Sequence, residues 1–203
     1  GLLYPEDSPL RSGNIDVKYM TAKEEDILTS ANLINQGVVI DRLLESIIAD
    51  SKVKLDDMLI GDKNALMVGA RVLGYGKSYP IMITDPDTNA QVEYEVDLSN
   101  LKNKDVDTSV FTGENKFEFE LPYSKRVIGF KLLTHKDERE IKETQKGLEK
   151  VEKLTGVSSI LTTRFKQQII SIDGSEDKKE INEFVDNSFL AMDTKEFRIY
   201  ADS

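Results

Sequence analysis

The segment SYPIMITDPDTNAQVEYEVDL, residues 78–98, constrains the fold most, because its apolar residues alternate while those before it follow a helical period. Val92, Tyr94, Val96 and Leu98 fall on one face of a strand, whereas a helix would scatter the same spacing around its surface. With Ile81 to Thr84 as the first strand and Asp85 to Ala90 as the turn, the segment predicts a β-hairpin. Upstream, VVIDRLLESIIADS sets Ile40, Leu43, Leu44, Ile47 and Ile48 at helical spacing. Downstream, the long charged run after Thr134 is helical again. Helices, then strands, then helices predict an α+β protein rather than a doubly wound sheet.

Local signals place the remaining elements. Leu3–Tyr4 and Ile15–Tyr19, joined through Pro5, Pro9 and Gly13, predict a small N-terminal hairpin. Thr21 and Glu24 have the spacing of a capping box, opening a helix that runs to about Gln36 and stops at Gly37. Asp62 caps a third helix, about Lys63 to Leu73, with Leu66, Met67, Ala70 and Leu73 on one face. Gly69 inside it costs about 1 kcal/mol against Ala, which close packing of a neighbouring backbone would offset.

After a polar linker, LKNKDVDTSVFTGEN, the alternation of Phe117, Phe119 and Leu121 and the apolar run Val127–Leu133 predict two further strands. Thr134 to Asp137 opens a helix to about Leu154, ended by Gly156, whose apolar stripe is thin: Ile141, Leu148, Val151, Leu154. So polar a helix lies in solvent or against another protein. Residues 160–172 predict a helix passing into a strand at Ile169–Ile172, with a turn at Asp173-Gly174. Two last helices follow, one with Ile181, Phe184 and Val185, one opening at Asp193 with Phe197 and Tyr200. The predicted organisation is 1–78, N-terminal helices with a small hairpin; 79–133, a β-rich hairpin insertion; and 134–203, C-terminal helices that can form one composite domain with the first part.

Charge and composition narrow the function. A net charge of −10, with 27 basic residues interleaved among 37 acidic ones, repels a phosphate backbone, so no nucleic-acid partner is expected. No apolar run approaches the roughly 18 residues of a membrane span, and Pro5, Glu6 and Asp7 stand where a signal peptide would need basic and then apolar residues. The chain has no cysteine, which removes disulfides, thiolate catalysis and thiolate zinc sites.

Three motifs invite a chemical reading. Gly74-Tyr75-Gly76-Lys77-Ser78 ends like a phosphate loop, but the required first glycine falls on Arg71, and the helix precedes the motif instead of following it. A helix C-terminus presents carbonyls and the negative end of the dipole, so the glycines read as a stop, with Gly74 the left-handed cap and Gly76 a turn residue. Asp85-Pro-Asp87-Thr-Asn89 matches the first ligands of a calcium loop, then fails where Ala90 and Val96 replace its glycine and glutamate. His135, the only histidine, sits at a helix start among charges and reads as a solvated or capping residue. Glu24-Glu25-Asp26 and Asp56-Asp57 read as solvated faces or caps. The expectation is a chain without catalytic residues, cofactor or metal; the competing reading is a divalent-metal-binding or enzymatic protein using the Asp85–Asn89 loop or His135.

The phrases GLLYPEDSPLRSGNIDVKYMTAKEEDILTSANLINQGVVIDRLLESII, LIGDKNALMVGARVLGYGKSY, VIGFKLLTHKDERE, TTRFKQQIISIDG and DKKEINEFVDNSFLAMDTKEFR, in this order, resemble the base plate protein family of T-even-like contractile-tailed phages, the baseplate hub subunit or hub-assembly protein. The likeness extends over nearly the full chain and is most specific in the first 80 residues. It implies a structural or chaperone-like, non-enzymatic part in assembling the central hub of the tail baseplate, by contacts with other hub and assembly proteins, with self-association open. It implies a place in the host cytoplasm during assembly and in the virion tail baseplate, and further residues at either terminus. The contact residues expected are Arg71, Tyr75, Lys77 and Tyr79, exposed around the signature turn, together with the face of helix 135–154.

Overall fold

Leu44 and Ile47, on the stripe read from VVIDRLLESIIADS, are almost wholly buried, and the helix they belong to organises the first part of the chain. The computed structural model describes residues 1–102, 106, 108, 111 and 113–202. Their elements run α1 (Ala22–Leu28), α2 (Ala31–Gln36), α3 (Val39–Ile47), α4 (Ile60–Tyr75), β1 (Ser78–Thr84), β2 (Gln91–Asp97), β3 (Phe117–Glu120), β4 (Val127–Phe130), α5 (His135–Thr155), α6 (Ile160–Gln168), β5 (Ile169–Ile172), α7 (Lys178–Asn187) and α8 (Ala191–Asp202). The fold is α+β, with antiparallel sheets β1-β2 and β3-β4-β5.

The chain divides into two compact units. One holds Gly1–Asn14, Asp56–Ile60 and Val106–Ser203; the other holds Ile15–Leu55 and Gly61–Asp105. The lines at 78 and 133 fall elsewhere: the β1-β2 ribbon goes with the helices before it, and β3 and β4 go with the helices after them.

In the first unit the core lies where β3-β4-β5 meets α6, α7 and α8. Leu121, Ile128, Phe130, Phe165, Ile169 and Phe197 are among its buried residues. Phe197 meets Phe130 edge to face at 5.1 Å and Tyr200 stacks on Phe119 at 4.5 Å, so the apolar residues of α8 are held by aromatic contacts worth about 0.5–1.5 kcal/mol each beyond their burial. The helix-to-strand passage at Ile169 and the turn at Asp173-Gly174, both at positive φ, are as the sequence predicts.

The N-terminal hairpin is not formed. Ser8 caps a short 3-10 turn, Pro9–Ser12, and Arg11 donates to the carbonyls of Leu2 and Tyr4 at 2.6 and 2.9 Å. Pro5 and Pro9 offer no N–H for a ladder, so this segment coils on itself with Tyr4 and Leu10 buried. Within the second unit, Val17 makes an isolated bridge with Ile48.

The single helix expected from Thr21 to Gln36 is two. Thr29 turns its hydroxyl to the Glu25 carbonyl at 2.8 Å and Ser30 starts α2 by accepting from the Leu33 amide, so adjacent Thr and Ser compete with the helical ladder and break it. Gly37 does end α2 in the left-handed conformation. α4 begins at Ile60, placing Asp62 within its first turn rather than at its cap. Its buried contact narrows to Ala70 with Leu66 half-buried, while Met67 and Leu73 are exposed. A Cβ on Gly69 would meet nothing within 4 Å, so the expected close packing there is absent.

Candidate docking surface

The signature turn is built from the end of α4. The helix continues through Gly74, and Gly76, at φ 81°, supplies the left-handed stop while its amide donates to the Val72 carbonyl at 2.9 Å. The cap is therefore Gly76 and not Gly74, where an added Cβ would lie 2.7 Å from the Met20 sulfur. Four carbonyls lack partners at a helix end, and Gly76 alone can turn the chain back to satisfy one of them without a Cβ penalty.

Arg71, Tyr75 and Tyr79 converge at this turn. The Arg71 guanidinium lies 5.0 Å from the Tyr75 ring and 5.5 Å from the Tyr79 ring, and donates to the carbonyls of Gly76 and Ser78 at 3.0 and 3.1 Å. Arg71 is half-buried rather than exposed, and four of its contacts are internal. It braces the turn, and its planar fork suits that task better than a lysine could. The Tyr75 hydroxyl donates to Glu25 at 2.5 Å, and the accepting carboxylate raises the pKa of the phenol. Lys77 points elsewhere, pairing with Asp97 at 2.9 Å, while the Leu98 amide closes the ribbon root on the Lys77 carbonyl. The Asp97 carboxyl is lowered to about 2, first by the Ser99 hydroxyl and then by Lys77. A phosphate would find both basic groups already committed.

From this root the β1-β2 ribbon extends with register Tyr79↔Val96, Ile81↔Tyr94 and Ile83↔Val92. Directly opposed residues share a face, so these six form one continuous apolar surface. Tyr79 (44%), Ile83 (46%), Val92 (47%) and Tyr94 (57%) keep about half their area open. The opposite face carries Glu93 and Glu95, and no third strand joins either edge among the described residues. At the tip Asp85 accepts from the Asp87 and Thr88 amides at 2.8 and 3.4 Å, and Asn89 takes φ 55°, so the loop that imitates a calcium site is an Asx turn whose first carboxylate serves the backbone. Among the described residues no group of three or more His, Asp or Glu side chains is placed to hold a metal ion.

His135 is not a solvated residue. It is buried at the start of α5, its amide donating to the Met58 carbonyl at 2.8 Å. Beside it Thr134 and Asp137 form the predicted capping pair, and Asp137 also accepts from Lys131 at 2.7 Å and Gln167 at 2.9 Å. Burial alone would raise the Asp137 carboxyl, but Lys131 and these donors hold it below its ordinary range. The polar α5 face reaches Ile141, which is buried, then opens: Leu154 is 87% exposed, and Val157, Ile160 and Leu161 beyond it are exposed too. This corner is a second apolar surface.

Two carboxylates escaped the sequence reading as anything but caps. Glu24 is buried, accepting from Ser46 at 2.6 Å as well as from Thr21, and its carboxyl is lowered to about 2. Asp193, fully buried in the first turn of α8, accepts from the amides of Tyr123 and Ser124 at 2.9 and 3.0 Å. The helix opens at Ala191, and the carboxylate latches it to the β3–β4 loop instead of capping it. Nothing in the local sequence announces either partner. A shallow cleft of about 240 Å³ lined by Glu45, Ile48, Asp50, Ser51, Val53, Lys54 and Leu55 falls short of the roughly 300 Å³ at which ligand pockets begin.

A family model described as T4 bacteriophage base plate protein matches residues 5–195 of the chain. No curated protein and no solved structure matches it.

Proposed function

Because the chain belongs to the T4 bacteriophage base plate protein family, with a structural role in the phage baseplate, we propose that it acts in assembling the central hub of that baseplate, through contacts with other hub and assembly proteins. The observation that carries the reading is the family match across nearly the whole chain. Two features support it. Both surfaces described above expose apolar side chains in a chain of net charge −10, an arrangement suited to association with partners rather than with nucleic acid. The polar groups of the signature turn are engaged within the chain, leaving the rings of Tyr75 and Tyr79 as its accessible part.

In this proposal the protein is structural or chaperone-like and non-enzymatic, acting in the host cytoplasm while the baseplate is built and reaching the tail if it is retained there. Arg71 orders the contact surface from within, Tyr75 and Tyr79 touch the partner, and Lys77 contributes through its pair with Asp97. The test is reconstitution: the folded chain is mixed with purified hub subunits of the same phage and the mixture resolved by size and mass. Co-elution with a hub subunit is expected. A folded chain that joins baseplate proteins outside the hub, or none, refutes the hub assignment.

A further inference from the structure

The apolar face of the β1-β2 ribbon stays largely open beyond its root, where Arg71 lies against the Tyr79 ring, yet a two-stranded ribbon is marginal in water without a cover. Its charge pattern says what kind of cover it can take. Between Ser78 and Asp97 there are five acidic residues and no lysine or arginine. Asp85 and Asp87 stand at the tip, Glu93 and Glu95 on the opposite face, and Asp97 at the root, where Lys77 pairs with it, so the acidic excess lies at the tip of the apolar strip and behind it.

We infer that this face docks an extended or helical segment of a baseplate partner that presents an apolar stripe flanked by lysine or arginine. A second copy of this chain is a poor occupant, because two such ribbons would bring together two acidic segments, neither of which holds a lysine or arginine between Ser78 and Asp97. Size sets a limit for any occupant. Seven residues per strand make a face about 23 Å long and roughly 10 Å wide, well under the about 800 Å² per partner that a stable independent dimer buries. An anionic lipid surface is repelled for the same electrostatic reason. A basic, apolar-striped protein segment meets both requirements, and flanking cations would reach Asp87, exposed at the tip, and, around the open strand edge, Glu93, exposed on the opposite face. The ribbon then serves as one docking point in a contact extended by other surfaces.

The inference rests on the baseplate reading, and the test separates the two. Whole chain carrying a photoreactive phenylalanine derivative at Ile83 or Tyr94 is mixed with each purified baseplate subunit of the same phage, and cross-linked peptides are sequenced. The expected product joins the ribbon to a partner segment with alternating or helically spaced apolar residues and adjacent lysine or arginine. Replacing Asp87→Lys together with Glu93→Lys should weaken that complex about tenfold at low salt, with circular dichroism unchanged, and Ile83→Lys should weaken it at least as much. A complex that forms without cross-links from the ribbon, a cross-link to a second copy, or a charge reversal without effect overturns the docking inference and leaves the baseplate reading standing. A folded chain that binds no baseplate subunit removes both.

Discussion

Asp193→Ala should destabilise the β3-β4-β5 unit by about 3 kcal/mol at neutral pH. The carboxylate is fully buried and takes one amide on each oxygen, Tyr123 at 2.9 Å and Ser124 at 3.0 Å. Hydrogen bonds to a charged group contribute about 1.5–3 kcal/mol each, and the lower end applies because the loop that supplies the amides is partly exposed and water can replace the carboxylate. A loss of this size lowers the melting temperature by roughly 10 °C. Asp193→Asn keeps one acceptor but turns an amide donor toward the other N–H, so about 2 kcal/mol is expected. The sign with pH follows from the direction of the shift. Burial pushes the carboxyl up, the donors of Ser124 and the Tyr123 amide push it down further, and its folded value lies below its ordinary one. Its contribution is full above the unfolded value of about 4 and is lost as pH falls through the folded value. Urea unfolding followed by far-ultraviolet circular dichroism measures the difference in a chain without tryptophan, and hydrogen exchange at the Phe130 and Ile169 amides confines it to this unit. A loss under about 0.5 kcal/mol, or a gap between the two proteins that widens on acidification, would refute the latch.

Further outcomes follow from the helix end and the carboxylates. Gly69→Ala should stabilise the chain by about 0.5–1 kcal/mol, since a Cβ there meets nothing, whereas Gly76→Ala should cost about 1 kcal/mol at φ 81°; thermal melts of the pair decide it, and equal shifts would contradict the cap assignment. Arg71→Ala removes two backbone hydrogen bonds and two ring contacts, so amide exchange at Leu98, which closes the ribbon root, should rise about tenfold with only a small change in melting temperature; unchanged exchange counts against the brace. Glu24 and Asp97, lowered to about 2, and Asp137 and Asp173, also lowered, favour the folded state above their unfolded values near 4, so stability should fall as pH drops from about 4.5 toward 2 and should not rise at any point in that window; a pH series of urea midpoints tests this.

The sequence by itself determined what depends on neighbours along the chain. The stripe of α3, the β1-β2 ribbon, the passage from α6 into β5 and the caps at Thr21, Gly37 and Thr134 were legible because helical period, strand alternation and capping all act within a few residues. So was the exclusion of a phosphate loop at GYGKS, which rests on element order. Tertiary structure decided what those residues meet. It chose Gly76 over Gly74 as the stop, because Gly74 remains helical beside Met20, and split the first helix where Ser30 captured a local amide. It buried His135, turned Asp193 from a cap into a latch, and left the apolar ribbon face open. Two residues alike in sequence, an aspartate at one helix start and an aspartate at another, differ only in which distant amides or cations arrive beside them, and no local pattern encodes that arrival.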